Sequence, residues 1–240
     1  MALIAEASPL KEDLHSAYDA IHLLVYGVKQ TPSGPKPNTL GLMQLNVCMD
    51  LLEKNLAKNV VIGGVNYGVV QGDSRISKVY ADTLRGRIEN KRIKGVKVIV
   101  EAEVTPEAQI ESGSKDTGGE IDFLLNQAAV NDWHNIMSIG YGPHVERITK
   151  LYRSRGINVS DEKEGALNVE VRDSNNLLQA KHPEFRTKFE RSPYRENEGD
   201  SFIKKEKLKI MIMDLIDKKG SVMTWMARHT PNDLKLRLNS

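Results

Sequence analysis

The sequence is poor in cysteine. Its 240 residues include a single cysteine, Cys48, which excludes an intrachain disulfide. The scarcity is typical of a protein from a reducing compartment, and we therefore expect a cytoplasmic location. Cys48 falls within a helical pattern of apolar residues. The sequence thus predicts a small buried side chain at this position rather than a nucleophile.

Aromatic residues, excess charge and long apolar runs are also scarce. Phe, Trp and Tyr make up 5% of the chain, and 34 basic residues against 32 acidic ones leave a formal charge of +2. This composition argues against a dedicated nucleic-acid or anionic-membrane binder. The apolar stretch at residues 20–28 is too short to cross a bilayer, and the charged residues 1–13 are not expected to act as a signal peptide. No histidine or cysteine cluster has metal-ligand spacing, so no metal site is expected.

What the sequence does contain is a recurring unit of short apolar run, glycine-rich turn and amphipathic helix. This repetition predicts an α/β fold: a three-layer, Rossmann-like parallel sheet with helices on both faces. Loops that follow the strands of such a sheet share one edge, and ligands bind there. The predicted strands are residues 18–26, 60–62, 96–100, 136–139 and 166–171, of which the third could extend through 104 by its alternation.

The domain organisation follows from where this pattern begins and weakens. Residues 1–17 are predicted to be an N-terminal leader, residues 18–172 the Rossmann-like domain, and residues 173–240 an irregular segment followed by helices that pack on the domain. Within the domain, prolines at 32, 35 and 37 predict a loop over residues 30–38. Asn38 or Thr39 is then expected to cap the first long helix, and Asp73 or Ser74 the second.

The first candidate site surrounds a predicted helix start at Ser114, Asp116 and Thr117. Thr117 and Glu120 have the spacing of a capping box, in which side chains satisfy the first helical N–H groups. Contact with a ligand is an equal alternative, and the two roles are compatible. The exposed N–H groups and the dipole of a helix N-terminus favour an anion.

The second candidate follows the fourth strand, where Tyr141 and His144 precede Arg147. His144 and Arg147 are neighbours on one helix face because they are three residues apart. Arginine offers a fork of donors for phosphate or carboxylate, and histidine can transfer a proton or donate a hydrogen bond. The structural alternative is an ion pair between Arg147 and a surface acid.

The third candidate is the set of turns after the first two strands, with Gly27, Gly63, Gly64 and Asn66. The run from Gly63 is neither the dinucleotide fingerprint nor a phosphate-binding P-loop. A tight turn that needs glycine explains it equally well. Nearby acids, among them Glu101, Glu103 and Glu111, are candidates for contact with a ribose hydroxyl.

Taken in order, these segments resemble the family of domains of unknown function represented by YdcF, SanA and ElyC. The resemblance covers roughly residues 18–172. Four stretches carry it: Asp19 to Gly27; Val60 to Gly64, with Ile62 in place of a serine; Glu111, Ser114 and Thr117, with Asp116 in place of an asparagine and Gly119-Glu120 in place of Glu-Asn; and Ser138 through His144 to Arg147.

This resemblance implies a Rossmann-like fold with a crevice built from those loops. For YdcF itself it suggests binding of S-adenosylmethionine, without an established reaction. SanA and ElyC are membrane-associated envelope proteins, and the membrane segment they carry has no counterpart here. The resemblance adds Glu111 to the ligand-binding residues and offers S-adenosylmethionine or a nucleotide as a cofactor, which the residues themselves leave unknown.

Three functional hypotheses follow. The first is a domain that binds a small anionic, nucleotide-like ligand through Ser114, Asp116, Thr117 and Arg147, with His144 donating a hydrogen bond. The second is a transferase or hydrolase in which His144 is the general acid or base. The third is an interaction module, such as a homodimer, that uses the C-terminal helices at residues 208–226.

Overall fold

The computed structural model describes residues 18–64, 75–105, 114, 116–159 and 166–181, together with 208 and 211. In chain order the strands are β1 (Ala20–Leu23), β2 (Val28–Thr31), β3 (Gly34–Pro37), β4 (Asn59–Ile62), β5 (Lys97–Val100), β6 (Asn135–Gly140) and β7 (Asn168–Asp173). The helices are α1 (Thr39–Glu53), α2 (Ile76–Asn90), α3 (Glu101–Val104), α4 (Thr117–Asn131), α5 (Pro143–Arg153) and α6 (Ser174–Lys181).

Five of the strands form a parallel sheet in the order β5-β4-β1-β6-β7. The predicted α/β parallel-sheet fold is therefore confirmed. The chain builds outward from β1, first through β4 to β5 on one side and then through β6 to β7 on the other. The order reverses between β1 and β6, and the loops that leave their carboxyl ends diverge to opposite faces. A crevice at such a point is where open α/β sheets bind ligands.

Helices cover both faces of the sheet, and each face has its own apolar core. Leu45 of α1, Leu84 of α2 and Leu178 of α6 belong to one core. Leu124 of α4 and Tyr152 of α5 belong to the other. The strands are apolar on both faces because both are covered, which is why their sequences are nearly continuous in Val, Ile and Leu.

The predicted loop at residues 30–38 is wrong. Residues 28–37 form a two-stranded antiparallel hairpin, β2 with β3, in which Thr31 is paired with Gly34 across a two-residue turn. The Thr31 hydroxyl also donates to the Gly34 carbonyl at 2.7 Å. Prolines indicated a loop because they cannot donate to a ladder, but a ribbon of two strands leaves one side of each strand unpaired, and there proline is tolerated.

The structure decides between alternatives that the sequence left open at one helix start and one strand end, and it corrects a second helix start. Asn38 caps α1, since its side chain accepts from Gly41 N at 2.9 Å. The N-cap of α2 is Arg75, without a side-chain cap bond, and residues 73 and 74 lie outside the described part. Strand β5 ends at Val100, because the chain turns into α3 at Glu101 instead of continuing the alternation to 104.

Buried polar and sulfur groups inside the domain are structural. Cys48 is fully buried, as predicted, and burial raises the pKa of its thiol. His22 of β1 is fully buried and lies 2.8 Å from the Tyr152 hydroxyl and 3.2 Å from that of Ser138. Burial lowers the pKa of His22 to about 3, so this imidazole is neutral. The contacts among His22, Ser138 and Tyr152 join the sheet to α5.

The C-terminal region is described only at two positions. Leu208 and Met211 are helical, and each is about half exposed, although the C-terminal helices are predicted to pack on the domain. The rest of the chain after residue 181 lies outside the described residues, as does the leader at 1–17. Within the described part, no helix is long and apolar enough to cross a membrane.

Candidate functional site

The candidate site lies at the carboxyl edge of the sheet, where chain segments remote in sequence meet. The loops after β1 and β4 contain Gly27 and Gly64, and the loop after β6 contains Gly142. All three have positive φ, of 132°, 95° and 40°. Glycine adopts these angles without a steric penalty, which explains why each strand is followed by glycine. The turns bring the first residues of α4 and α5 to the same edge.

His144 is at the centre of this edge and is the second residue of α5. The imidazole is buried, and each ring nitrogen has partners. Nδ1 is hydrogen bonded to the Tyr26 hydroxyl. Nε2 lies 3.0 Å from Oγ1 of Thr117, the first residue of α4, and also contacts a guanidinium nitrogen of Arg147. The site therefore joins the loop after β1 to the N-termini of two helices.

The partners of His144 determine its tautomer. A guanidinium is only a donor, so a close Arg147 nitrogen requires an unprotonated Nε2 that accepts. The ring proton is then on Nδ1, which donates to the Tyr26 hydroxyl. The Tyr26 hydroxyl also accepts from the backbone N of Tyr141 at 2.9 Å. His144 is thus held with the lone pair of Nε2 directed toward Thr117 and Arg147.

Arg147 contacts the other residues of the site. Its Nη2 donates to the Thr117 hydroxyl at 3.0 Å as well as lying against Nε2 of His144. Thr117 and His144 are buried, whereas Arg147 is partly exposed. Arg147 is thus the most exposed residue of the three.

Two tyrosines hold this arrangement in place, and the sequence analysis did not assign either to the site. The Tyr26 ring lies edge-on to the rings of His144 and Tyr141, with centroids 5.0 and 6.1 Å apart. The Tyr80 hydroxyl of α2 accepts from Tyr26 N at 3.1 Å and donates to the Gly27 carbonyl at 3.2 Å. The local signal for Tyr26 was its position at the end of the predicted first strand, directly before Gly27.

Glu101 connects the turn after β4 to the approach to α4. Its Oε2 accepts from Gly64 N at 2.8 Å, and its Oε1 accepts from the backbone N and the hydroxyl of Ser114 at 2.9 and 2.8 Å. Both carboxylate oxygens are occupied within the protein, and the side chain is buried. This geometry gives Glu101 and Ser114 a positioning role, which accounts for both residues without a ribose contact.

The predicted capping box is wrong. Asp116 is the N-cap of α4 and accepts from Gly119 N at 2.8 Å, while Thr117 is already helical. Thr117 is one position too far along to cap the helix, which leaves its hydroxyl for His144 and Arg147. The side chain of Glu120 does not reach back to the cap. It turns inward, and its Oε1 lies 3.4 Å from Val25 N.

Glu120 is the most unusual acid of the site. It is fully buried, and its Oε2 has no hydrogen-bond partner among the described residues. Burial, with Glu101 and Asp116 nearby, raises the pKa of Glu120 well above 4.5, against the opposing effects of Val25 N and Arg147. The carboxyl of Glu120 thus fills the space beneath the loops after β1 and β4, where burial favours its protonated form.

Asp173 supports the site from the end of β7. Its carboxylate accepts from the backbone N of Asn175 at 2.9 Å and from that of Gly142. Burial raises the pKa of this carboxyl, and its bonds to backbone N–H groups oppose the effect. The bond to Gly142 fixes the turn that presents His144. The fifth strand was predicted to end at residue 171, and Asp173 was therefore not predicted to belong to the site.

One position of the resemblance that the structure describes does not take part in this cluster. Asp19, which opens the resemblance, lies at the opposite edge of the sheet. Its Oδ2 accepts from the backbone N of His134 and Asn135 at 2.7 and 2.8 Å, which joins the start of β1 to that of β6. Asn66 and Glu111 lie outside the described residues.

Two further observations concern metal ions and a groove away from the carboxyl edge of the sheet. Among the described residues, no group of three or more His, Cys, Asp or Glu side chains is arranged to hold a metal ion. A groove of about 400 Å³ lies between the later turns of α1 and α2 and is lined by Met49, Arg87 and Leu178 among others. It is remote from the carboxyl edge, and Arg87 there donates to the Asn46 side chain at 2.8 Å.

No protein-family model, curated protein or solved structure matches this chain.

Proposed function

We propose that this protein binds a small anionic, nucleotide-like ligand at the crevice between the carboxyl ends of β1 and β6. One observation carries the proposal. Arg147, partly exposed, lies over the buried pair Thr117 and His144 at the point where the strand order reverses. A guanidinium matches the geometry of phosphate and carboxylate oxygens and forms strong, charge-assisted bonds with them.

The surroundings of Arg147 support an anionic ligand. The N-terminus of α4, a helix of 15 residues, adds a positive dipole end to the same place. Glycines at the turns let a ligand approach the backbone closely. S-adenosylmethionine, suggested by the resemblance, would place its carboxylate on Arg147, whereas a nucleotide would place a phosphate there.

We also propose that the chain is a distant relative of the YdcF-like family. The residues that carry the resemblance support this, since Gly27, Gly64, Ser114, Thr117 and His144 come from four separate motifs and meet at one edge of the sheet. The substitutions at Ile62 and at Gly119-Glu120 mean that the ligand of one family member does not transfer directly. The ligand has to be measured.

Isothermal calorimetry tests the proposal with a panel of nucleotides, S-adenosylmethionine and inorganic phosphate. We expect wild type to bind at least one nucleotide-like compound and Arg147→Ala to bind it ~10- to 100-fold more weakly, which is the range for a charge-assisted bond. Arg153→Ala is the matched control, since Arg153 is exposed on the same helix. Equal binding by wild type and Arg147→Ala, or an equal loss in the control, would contradict the proposal.

A homodimer that forms through residues 208–226 is a second candidate function. All but two of those residues lie outside the described part. The half-exposed side chains of Leu208 and Met211 are the observation in its favour. Light scattering on wild type and on Leu208→Glu/Met211→Glu distinguishes the alternatives. A dimer that dissociates in the double variant supports this candidate, and a wild-type monomer excludes it.

A further inference from the structure

We propose that Thr117 is a nucleophile for phosphoryl transfer, with His144 as its base and Arg147 as a residue that must leave His144 before the reaction proceeds. This inference rests on the proposed function, because the anion that Arg147 binds is here the phosphoryl group of the substrate. It goes further by assigning a reaction, a nucleophile and a substrate class.

The first argument is the geometry of a nucleophile, a base and a residue that orients the base. Thr117 Oγ1 and His144 Nε2 are 3.0 Å apart, within hydrogen-bond distance of each other. The opposite ring nitrogen is bonded to the Tyr26 hydroxyl, which is itself fixed by Tyr141 N. A hydroxyl next to a base that a third group orients is the arrangement by which a weak nucleophile is activated. Tyr26 is the positioning residue.

The second argument is the tautomer that Arg147 imposes. With the ring proton on Nδ1, the Nε2 atom has the lone pair needed to accept a proton from Thr117. As long as the guanidinium contacts Nε2, however, that lone pair is shared, and an imidazolium there would face a second positive charge. The resting site thus has the correct tautomer but is blocked.

An anionic substrate removes the block. A phosphoryl group carries oxygens that compete for the guanidinium more strongly than a neutral imidazole or hydroxyl does. Once Arg147 turns to the phosphoryl oxygens, Nε2 keeps its contact with the Thr117 hydroxyl. The anion also offsets the positive charge that forms on His144. Binding of the substrate therefore assembles the reactive pair.

The chemistry favours phosphoryl over acyl transfer. Phosphoryl transfer needs positioning and positive charge around the equatorial oxygens more than it needs an oxyanion hole. The site supplies that charge through Arg147 and the N-terminus of α4, on which Thr117 is the first residue. The nucleophile and the positive charge are thus on the same side of the crevice.

The step balances as follows. The Thr117 oxygen forms a bond to phosphorus, and the bond from phosphorus to the leaving oxygen breaks with its electron pair. The Thr117 proton moves to His144 Nε2 and from there to the leaving oxygen. Water then attacks the phosphothreonine, gives its proton to Nε2, and the Thr117 oxygen departs and recovers that proton. The net reaction is hydrolysis of a phosphate ester or anhydride.

Single-turnover labelling of the full chain tests the assignment. The protein is mixed with p-nitrophenyl phosphate, acetyl phosphate or a nucleoside triphosphate, quenched in acid, and mapped by peptide mass spectrometry. We expect one phosphoryl group on Thr117 of wild type and on position 117 of Thr117→Ser. Thr117→Val, which has nearly the same shape, carries no label. His144→Gln is expected to slow labelling by at least ~10-fold, which is the lower part of the contribution of a general base.

The control is Thr83→Val, which removes a hydroxyl bonded to the Val79 carbonyl on α2, far from the site. It should label Thr117 as wild type does. Label elsewhere, or undiminished turnover in Thr117→Val, overturns the proposal. If no donor labels Thr117 while calorimetry still shows Arg147-dependent anion binding, the reaction is wrong and the proposed function stands. If binding is absent as well, both fail.

Discussion

The guanidinium of Arg147 lies against Nε2 of His144, three residues earlier on the same helix. Two groups that both carry a positive charge when protonated do not normally pack this way. The contact is consistent only with a neutral imidazole that has its proton on Nδ1, where the Tyr26 hydroxyl accepts it. The state of one histidine is thereby fixed by two neighbours.

The first prediction concerns this tautomer. In the free protein, long-range ¹H–¹⁵N NMR spectra should show His144 as the neutral form with the proton on Nδ1. The double variant Tyr26→Phe/Arg147→Ala removes both the acceptor of that proton and the donor that faces Nε2, so a mixture of tautomers is expected there. Exposed His134, whose Nδ1 lies 2.7 Å from the Ala166 carbonyl, is an internal reference that should not change. A doubly protonated His144 at neutral pH would contradict the geometry.

The sheet could be predicted from the sequence, whereas much of the site could not. Strands β1, β4 and β6 are local apolar runs with glycines at or soon after their ends, so their positions are visible in a short window. Tyr26 meets His144 across 118 residues, and Tyr80 meets Tyr26 across 54. No local pattern reports such contacts. His144 and Arg147 could be singled out because their relationship is local, on one helix turn.

The same reasoning explains the errors. The hairpin formed by β2 and β3 has prolines where a ladder normally needs N–H donors, so composition indicated a loop. The predicted capping box placed the N-cap one residue too late, at Thr117 instead of Asp116. Both residue types can cap a helix, and only the backbone geometry decides between them. Glu120, which was predicted to form the capping box with Thr117, is buried beneath the loops instead.

The second prediction follows from the burial of Glu120. The pKa of Glu120 is raised in the folded protein, so the folded state holds a proton that the unfolded state releases above about pH 4.5. The contribution of Glu120 to the free energy of unfolding is therefore fully present below about pH 4.5. It is lost as the pH rises toward the pKa of the folded state, and the free energy of unfolding falls by about 1.4 kcal/mol per pH unit over that range. Glu120→Gln should lack this slope.

Urea unfolding between about pH 5 and about pH 8 measures the effect. The free energy of unfolding of Glu120→Gln should rise relative to wild type as the pH increases, with the variant the more stable at neutral pH. Glu146→Gln is the control, because Glu146 is exposed on α5 and should follow wild type. If the free energies of unfolding of wild type and Glu120→Gln change in parallel with pH, the pKa of Glu120 is not raised in the folded protein.

The third prediction separates two acids on the short helix α3. Glu101 accepts three hydrogen bonds from Gly64 and Ser114, so Glu101→Gln presents an amide N–H to donors that need an acceptor. We expect a loss of about 1–3 kcal/mol in the free energy of unfolding. Glu103→Gln breaks only an exposed pair with Arg85 and should cost less than about 1 kcal/mol. Chemical denaturation compares the two, and equal losses would contradict the role assigned to Glu101.

The fourth prediction concerns why Gly63 is glycine. Its φ is not among the positive ones, so backbone freedom is not the reason. A Cβ at this position would lie 2.9 Å from Cβ and Cγ of Glu120 and 3.0 Å from its Cα. Since α4 cannot move aside without disturbing Thr117, we expect Gly63→Ala to destabilise the fold by about 1–3 kcal/mol.

The matched variant is Gly86→Ala on α2, where an added Cβ meets nothing within 4 Å. Alanine there should stabilise the helix by about 0.5–1 kcal/mol, because glycine loses more conformational freedom on folding. Thermal unfolding of both variants gives the comparison. If Gly63→Ala is as stable as wild type and instead weakens only ligand binding, then Gly63 serves the ligand directly rather than the packing of Glu120 beneath the turn.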